Sequence, residues 1–208
     1  MVGCLISGAS QSIAGQIAVK FALESFLRRV LDEPTAGGEI GSAIRDVFRE
    51  SNQSVYEYAH RMRAGATIGA SMMLWGLEHG RVSVGRSGYG DAFLIRDGVV
   101  TPLLEDATPS EGVLDRFVGA NAKVLVDLAS TAVREGDELL FLSVSASGER
   151  RIKIEQLFSA AVPNSQRVQL IAEGIPGAGA VSLVGYGHKA IELRNTVASG
   201  RSTEPGAV

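Results

Sequence analysis

Ser143, Ser145 and Ser147 stand at alternate positions after the apolar run Leu139–Leu142, in GDELLFLSVSAS (136–147). So apolar a run reads as a buried strand, and a buried strand often delivers its following side chains to a site. Hydroxyls in that place suggest a nucleophile. A serine needs an adjacent base, however, and no histidine lies near these three in sequence, nor does a Gly-x-Ser-x-Gly elbow hold them. Asp91, Glu105, Asp106 and Glu173 are scattered acids, read as solvated or turn residues because none has a second ligand at a fixed spacing. His60, His79 and His188 are equally isolated and make no metal pattern. The single thiol, Cys4, excludes an internal disulfide and a thiolate cage, and beside Leu5 and Ile6 it reads as a small core residue. Ser7-Gly8-Ala9-Ser10 precedes a helical pattern. Its backbone N–H groups suit an anion, while Ser7 or Ser10 as a helix cap is the plainer reading.

These residues must be positioned by the elements around them. A short strand, Gly3–Ile6, leads into a helix marked by Ile13, Ile17, Phe21, Phe26, Leu27, Val30 and Leu31, which DEPTAGG (32–38) stops. A second helix carries Ile40, Ile44, Val47, Phe48, Val55 and Ala59 on one face. From Ala66 the chain reads as strands, with turns at Glu78-His79-Gly80 and Arg96-Asp97-Gly98. Ile68, Ala70, Met72 and Leu74 share one face of the first of these strands, and Met73 and Trp75 the other, so that strand is covered on both sides. Residues 106–122 read as a loop with a short helix. A strand from Lys123, the Gly136-Asp137 turn and the serine-ended strand follow. Two helices come next, the first with Ile154, Leu157, Phe158 and Ala161 and the second from Pro163 to Ile171, and GAVSLVGYG (179–187) is read as the last strand. Tight turns between strands favour antiparallel pairing, and helices at both ends of the chain suggest two sheets with helices outside. Residues 1–190 read as one domain and 191–208 as a tail expected to be disordered.

Lys and Arg number 20 against 23 Asp and Glu, and they are scattered rather than striped, which argues against nucleic acid as a partner. No apolar run approaches the roughly 20 residues that span a bilayer, and the N-terminus lacks the basic flank of a signal peptide. The cytoplasm is the expected compartment.

The order of these segments resembles the metal-dependent serine/threonine phosphatases of the PP2C (PPM) family. GRVSVGRSGYGDAFLIRDGVVTPL (80–103) is similar to that family's NVGDSRAYLLRDGKLTQL, with Gly88, Ala92, Phe93, Leu94, Arg96, Asp97 and Gly98 in place. Gly65-Ala66-Thr67 sits at the family's Gly-Thr-Thr, VREGDELLFLS (133–143) at its Pro-Gly-Asp strand, and SGASQSIAGQIAVKFA (7–22) at DGMGGHAAGEVA. The resemblance covers nearly the whole chain. It implies an α+β, four-layer αββα sandwich of two mainly antiparallel sheets flanked by helices, without the family's first N-terminal strand and its phosphate-gripping Arg.

It also implies a centre of two Mn²⁺ or Mg²⁺ ions held by aspartates that activate a bridging water. Carried over position by position, those aspartates are missing: they fall on Ser7, before Gly8, on Val144, before Ser145, and within Gly177-Ala178-Gly179, while the family's loop His falls on Ser12. Two dications about 4 Å apart repel by roughly 16 kcal/mol at an effective dielectric of 20, and neutral hydroxyls offset almost none of it. The expectation is therefore no metal, no cofactor and no catalysis. The chain would be a pseudophosphatase that binds protein partners such as a kinase, a phosphatase or a phosphoprotein in signalling, with a phosphatase rebuilt around acids such as Asp91 or Glu173 as the alternative. Tyr89, where the family has Asp, is either a partner anchor or a cover for the adjacent core. A sheet without its edge strand is expected to pair with another chain, a second copy included.

Overall fold

The computed structural model describes residues 1–10, 12–32, 40–62, 68–105, 116–160, 162–175, 180–185 and 192–197. Strand β1 (Val2–Gly8) is followed by helices α1 (Ile13–Asp32) and α2 (Ile40–Arg61). A meander of β2 (Ala70–Glu78), β3 (Arg81–Ser87), β4 (Asp91–Arg96) and β5 (Val99–Pro102) comes next, then β6 (Asp127–Ala132) and β7 (Glu138–Leu142). The chain continues with α3 (Glu149–Ser159), α4 (Asn164–Gly174), β8 (Ala180–Gly185) and β9 (Glu192–Val197). All pairings are antiparallel, in one sheet ordered β1-β2-β3-β6 and a second ordered β5-β4-β7-β8-β9.

Period-two alternation builds the layers. Met72 and Leu74 join Phe48, Val55 and Ala18 in a core between the first sheet and helices α1 and α2. The opposite face of β2, with Met73, Trp75 and Leu77, meets Ala92, Leu139 and Phe141 between the sheets. There Trp75 stacks on Phe141 with centroids 4.1 Å apart. Phe93, Leu140 and Leu142 face Ile154, Phe158 and Ile171 of α3 and α4. These three cores make the four αββα layers anticipated above, and every apolar position assigned to the α2 face is buried.

Both hairpin turns form where expected because they use left-handed backbone at His79 (φ 48°) and Gly80 (φ 70°), and at Asp97 (φ 54°) and Gly98 (φ 78°). Two expectations need correction. GAVSLVGYG is not the last strand, since Glu192–Val197 pairs with β8 as β9 and so occupies part of the expected tail. Its charged, polar composition hid a strand that backbone pairing supports. The strand from Lys123 begins only at Asp127, and residues 116–122 contain no helix; residues 106–115 lie outside the described residues.

The end of the sandwich away from the serines is fixed by Asp137, 1% exposed, in the β6–β7 turn. Arg96 Nε and Nη2 donate to its two oxygens at 2.8 and 2.7 Å, and the Arg134 N–H donates at 2.8 Å. The Arg96 hydrogen bond, against the cost of burial and helped by the Arg134 N–H, holds the Asp137 carboxyl below its ordinary range. A carboxyl with a depressed native pKa adds stability that is fully present above its unfolded value of about 3.9 and is lost as pH falls through the native value. The stability difference between wild type and D137N is therefore expected to hold at neutral pH and to shrink below about pH 4. Urea titrations of both proteins at a series of pH values check this; a constant difference down to acid pH would refute it.

Candidate functional site

At the other end, β1 finishes with Ser7 opposite Ser71 and Gly8 opposite Ala70. Ser7 falls on the same side of its strand as Leu5, which packs between the sheets. Ser71 Oγ donates to the Tyr89 carbonyl at 2.6 Å. Gly88 (φ +88°) allows that approach, because a Cβ there would meet Ser71 Oγ at 2.9 Å. The half-buried Tyr89 ring packs edge-on against Phe117, centroids 5.1 Å apart. Ser12, rather than Ser7 or Ser10, caps α1: its Oγ accepts the Gly15 N–H at 3.3 Å and lies 2.6 Å from Ser10 Oγ. The helix begins at Ile13, so the capping position falls on residue 12. Burial pushes the Cys4 thiol up to about 11, so it is a core residue and no nucleophile at neutral pH.

The second sheet brings Asp91, the first residue of β4, opposite Leu142, the last of β7. Beyond Leu142 the chain turns through Val144, packed against the α3–α4 core, and Ser145, whose carbonyl accepts Arg150 Nη1 at 2.8 Å. The Ala146 N–H then donates to Asp91 Oδ2 at 2.6 Å. Asp91 Oδ1 takes Arg86 Nη1 at 2.9 Å.

Arg86 is the centre of this end, 1% exposed. Nη1 also donates to the Gly90 carbonyl at 2.9 Å, Nη2 to the Glu105 carbonyl at 2.7 Å and to Asp127 Oδ2 at 2.9 Å, and Nε to Asp127 Oδ2 at 3.2 Å. All five guanidinium donors are used. Arg116 Nη2 closes the network on Asp127 Oδ1 at 2.7 Å. The reading of Asp91 as a solvated acid is thus corrected: it is 8% exposed and bonded through both oxygens. One partner lies five residues upstream and the other 55 downstream, and only the fold joins them. No sequence spacing announced Arg86 or Asp127. Glu105 and Glu173 are exposed, as expected, and Asp106, Gly177, Ala178 and His188 lie outside the described residues.

Solved structures share this architecture. The chain is similar to PppA, a key regulatory component of T6SS in Pseudomonas aeruginosa, with 18% identity over 83% of this chain and 78% of that one, at a TM-score of 0.67. The Mycobacterium tuberculosis serine/threonine phosphatase PstP/Ppp matches at 20% identity over 90% and 88% of the two chains, TM-score 0.67. The PstP catalytic domain in complex with two manganese ions matches at 18% over 88% and 85%, TM-score 0.69. The chain has the PP2C serine/threonine phosphatase fold. No protein-family model matches the sequence, and no curated protein is similar enough to count as a relative.

The expectation that the chain is not an enzyme is corrected by these structures. The PP2C fold is an enzyme architecture, and its solved examples here are serine/threonine phosphatases.

Whether the residues present suit a metal pair is a separate question of donor chemistry. Hard divalent ions need several oxygen ligands, with carboxylates to offset their charge. Ser7 offers only a neutral hydroxyl and Val144 no donor, and both oxygens of Asp91 are committed to Arg86 and Ala146. Among the described residues no group of three or more His, Cys, Asp or Glu side chains could hold a metal ion. The described end of the PP2C fold therefore does not fit the pair. Millimolar Mn²⁺ is expected to leave the melting temperature unchanged within about 1 °C, because a ligand stabilises only in proportion to its occupancy of the native state. A rise of several degrees, reversed by chelator, would refute the misfit.

Proposed function

We propose that this PP2C-fold chain is a regulatory module of phosphoprotein signalling that works by binding another protein, a kinase, a phosphatase or a phosphoprotein. The observation that carries the reading is the strand-end centre, where an internal Arg86–Asp91 pair ties the β7–α3 connection to the meander and so commits the Asp91 carboxylate to structure. PppA, of the same fold, is described as a regulatory component, which supports the class. None of the described helices is long and apolar enough to cross a membrane, and we place the module in the cytoplasm with its partner.

Tagged protein purified from its source cells tests the reading. The expected result is a partner recovered in a fixed molar ratio, whose phosphorylation changes when the chain is deleted. Absence of such a partner, together with unchanged phosphorylation, would overturn it. Self-association is a second form of binding favoured by one feature. Among the described residues strand β1 ends its sheet, and its residues VGCLISG carry no charge to discourage pairing with a second copy. Light scattering is expected to give a dimer mass, and a monomer at high concentration would refute the pairing.

A further inference from the structure

At the opposite end of the first sheet, β6 pairs with β3 on one side and, among the described residues, with no strand on the other. Beside this edge runs a groove of about 750 Å³ between α2 and residues 122–128. Asn52, 3% exposed, builds it: the side-chain oxygen accepts the Gly119 N–H at 2.7 Å, and the side-chain nitrogen donates to the Asn121 carbonyl at 3.0 Å. That clamp holds the segment entering β6 at a set distance from the helix. Val124, Val126 and Leu128 turn towards α2 and give the groove an apolar floor.

Its walls are basic. Arg45 and Arg49, one helical turn apart on α2, face Lys123 across the groove, against a single acid, Glu57. Glu57 is already hydrogen-bonded by Gln53 at 2.8 Å. Arg49 pairs with Asp46 at 2.7 Å, so its charge is partly offset, and Arg45 and Lys123 carry the larger share of the positive field. The one charge on β6 itself, Asp127, is consumed by Arg86 and Arg116. A sheet edge unpaired among the described residues, an apolar floor and three cations together suit one ligand: an extended chain whose alternate side chains are acidic.

We propose that the α2–β6 groove docks an acidic, extended segment of a partner protein, which adds to β6 as an antiparallel or parallel strand and sets its carboxylates against Arg45, Arg49 and Lys123. This rests on the protein-binding reading above and names the surface that performs it. Main-chain hydrogen bonds to β6 supply affinity, and the cations supply selection by charge.

Random eight-residue peptides displayed on phage, panned against the whole protein, test the proposal. Wild type is expected to enrich proline-free sequences with Asp or Glu at alternate positions, and R45E/R49E/K123E is expected to lose them. The three positions are exposed, so the variant keeps the wild-type circular dichroism spectrum and melting temperature. In fluorescence anisotropy one enriched peptide is expected to bind the variant at least about tenfold more weakly, with an affinity for wild type that falls as salt rises. Hydrogen exchange at the β6 amides is expected to slow when that peptide binds. The proposal is overturned by any of four results: no enrichment, enrichment of neutral or basic sequences, acidic sequences retained by the variant, or a bound peptide that leaves β6 unprotected. A cellular partner recovered equally by wild type and variant would overturn the groove while leaving the protein-binding reading intact. Failure to recover any partner strikes at the reading itself.

Discussion

Replacing Arg86 by methionine is expected to lower the unfolding free energy by about 3–5 kcal/mol, read from urea denaturation. The side chain is 1% exposed and gives all its donors to two carboxylates and two carbonyls. Methionine fills much of the same volume, so the loss comes from the groups left behind: Asp91 without its cation, and the Gly90 carbonyl without its donor. Asp127 is cushioned by Arg116, so the larger part falls on Asp91. Removing charge on both sides separates the two contributions. R86M/D91N/D127N is expected to recover part of the loss, because the site no longer buries carboxylate charge from which the guanidinium has been removed. A loss below about 1 kcal/mol for R86M would mean that water reaches the network and that it behaves as an exposed ion pair.

The second large effect lies where α2 rests on the first sheet. Phe48 is fully buried, and Gly85 on β3 lies directly beneath it. A Cβ at position 85 would stand 2.8 Å from Phe48 Cε2 and 2.6 Å from Ile44 Cγ2. F48A is expected to cost about 3–5 kcal/mol through lost burial and the cavity it leaves. G85A is expected to cost about 1–3 kcal/mol by overpacking. In the double variant the new methyl enters the vacated space, so the combined loss should fall short of the sum by about 1 kcal/mol or more. Strict additivity would show that α2 slides away from β3 instead of holding its position, and would refute the rigid contact.

Why could α2 be read from sequence while Asp91 could not? The α2 face repeats with the helical period, and its neighbours in sequence decide its burial, as Ile40, Ile44, Val47 and Phe48 show. Turns at His79-Gly80 and Asp97-Gly98 are similarly local, since left-handed backbone selects its residues within two positions. The layer order followed from strands apolar on both faces, Met72 and Met73 being the clearest pair. Burial of Asp91 is decided by a guanidinium from β3 and an amide beyond β7, which no window of sequence contains. Asn52 misleads in the same way: a polar residue on a helix reads as solvent-facing until the loop at Gly119 arrives to use it. Strand β9 was hidden because Glu192, Arg194 and Asn195 interrupt its apolar pattern, and pairing with β8 is supplied by backbone groups that carry no residue signature.

The reach of the Arg86 network along the chain has a kinetic meaning. Its links from residue 86 to residue 127 and from residue 91 to residue 146 span distant segments, so the network is complete only when the meander, β6 and the β7–α3 connection have been brought together. Contacts between such distant segments carry the largest loop-closure cost, and the network is expected to close after the rate-limiting step. Such contacts act as a latch on the finished molecule: R86M would leave the refolding rate close to that of wild type and hasten unfolding, so the network governs how long the native state lasts rather than how quickly it is reached.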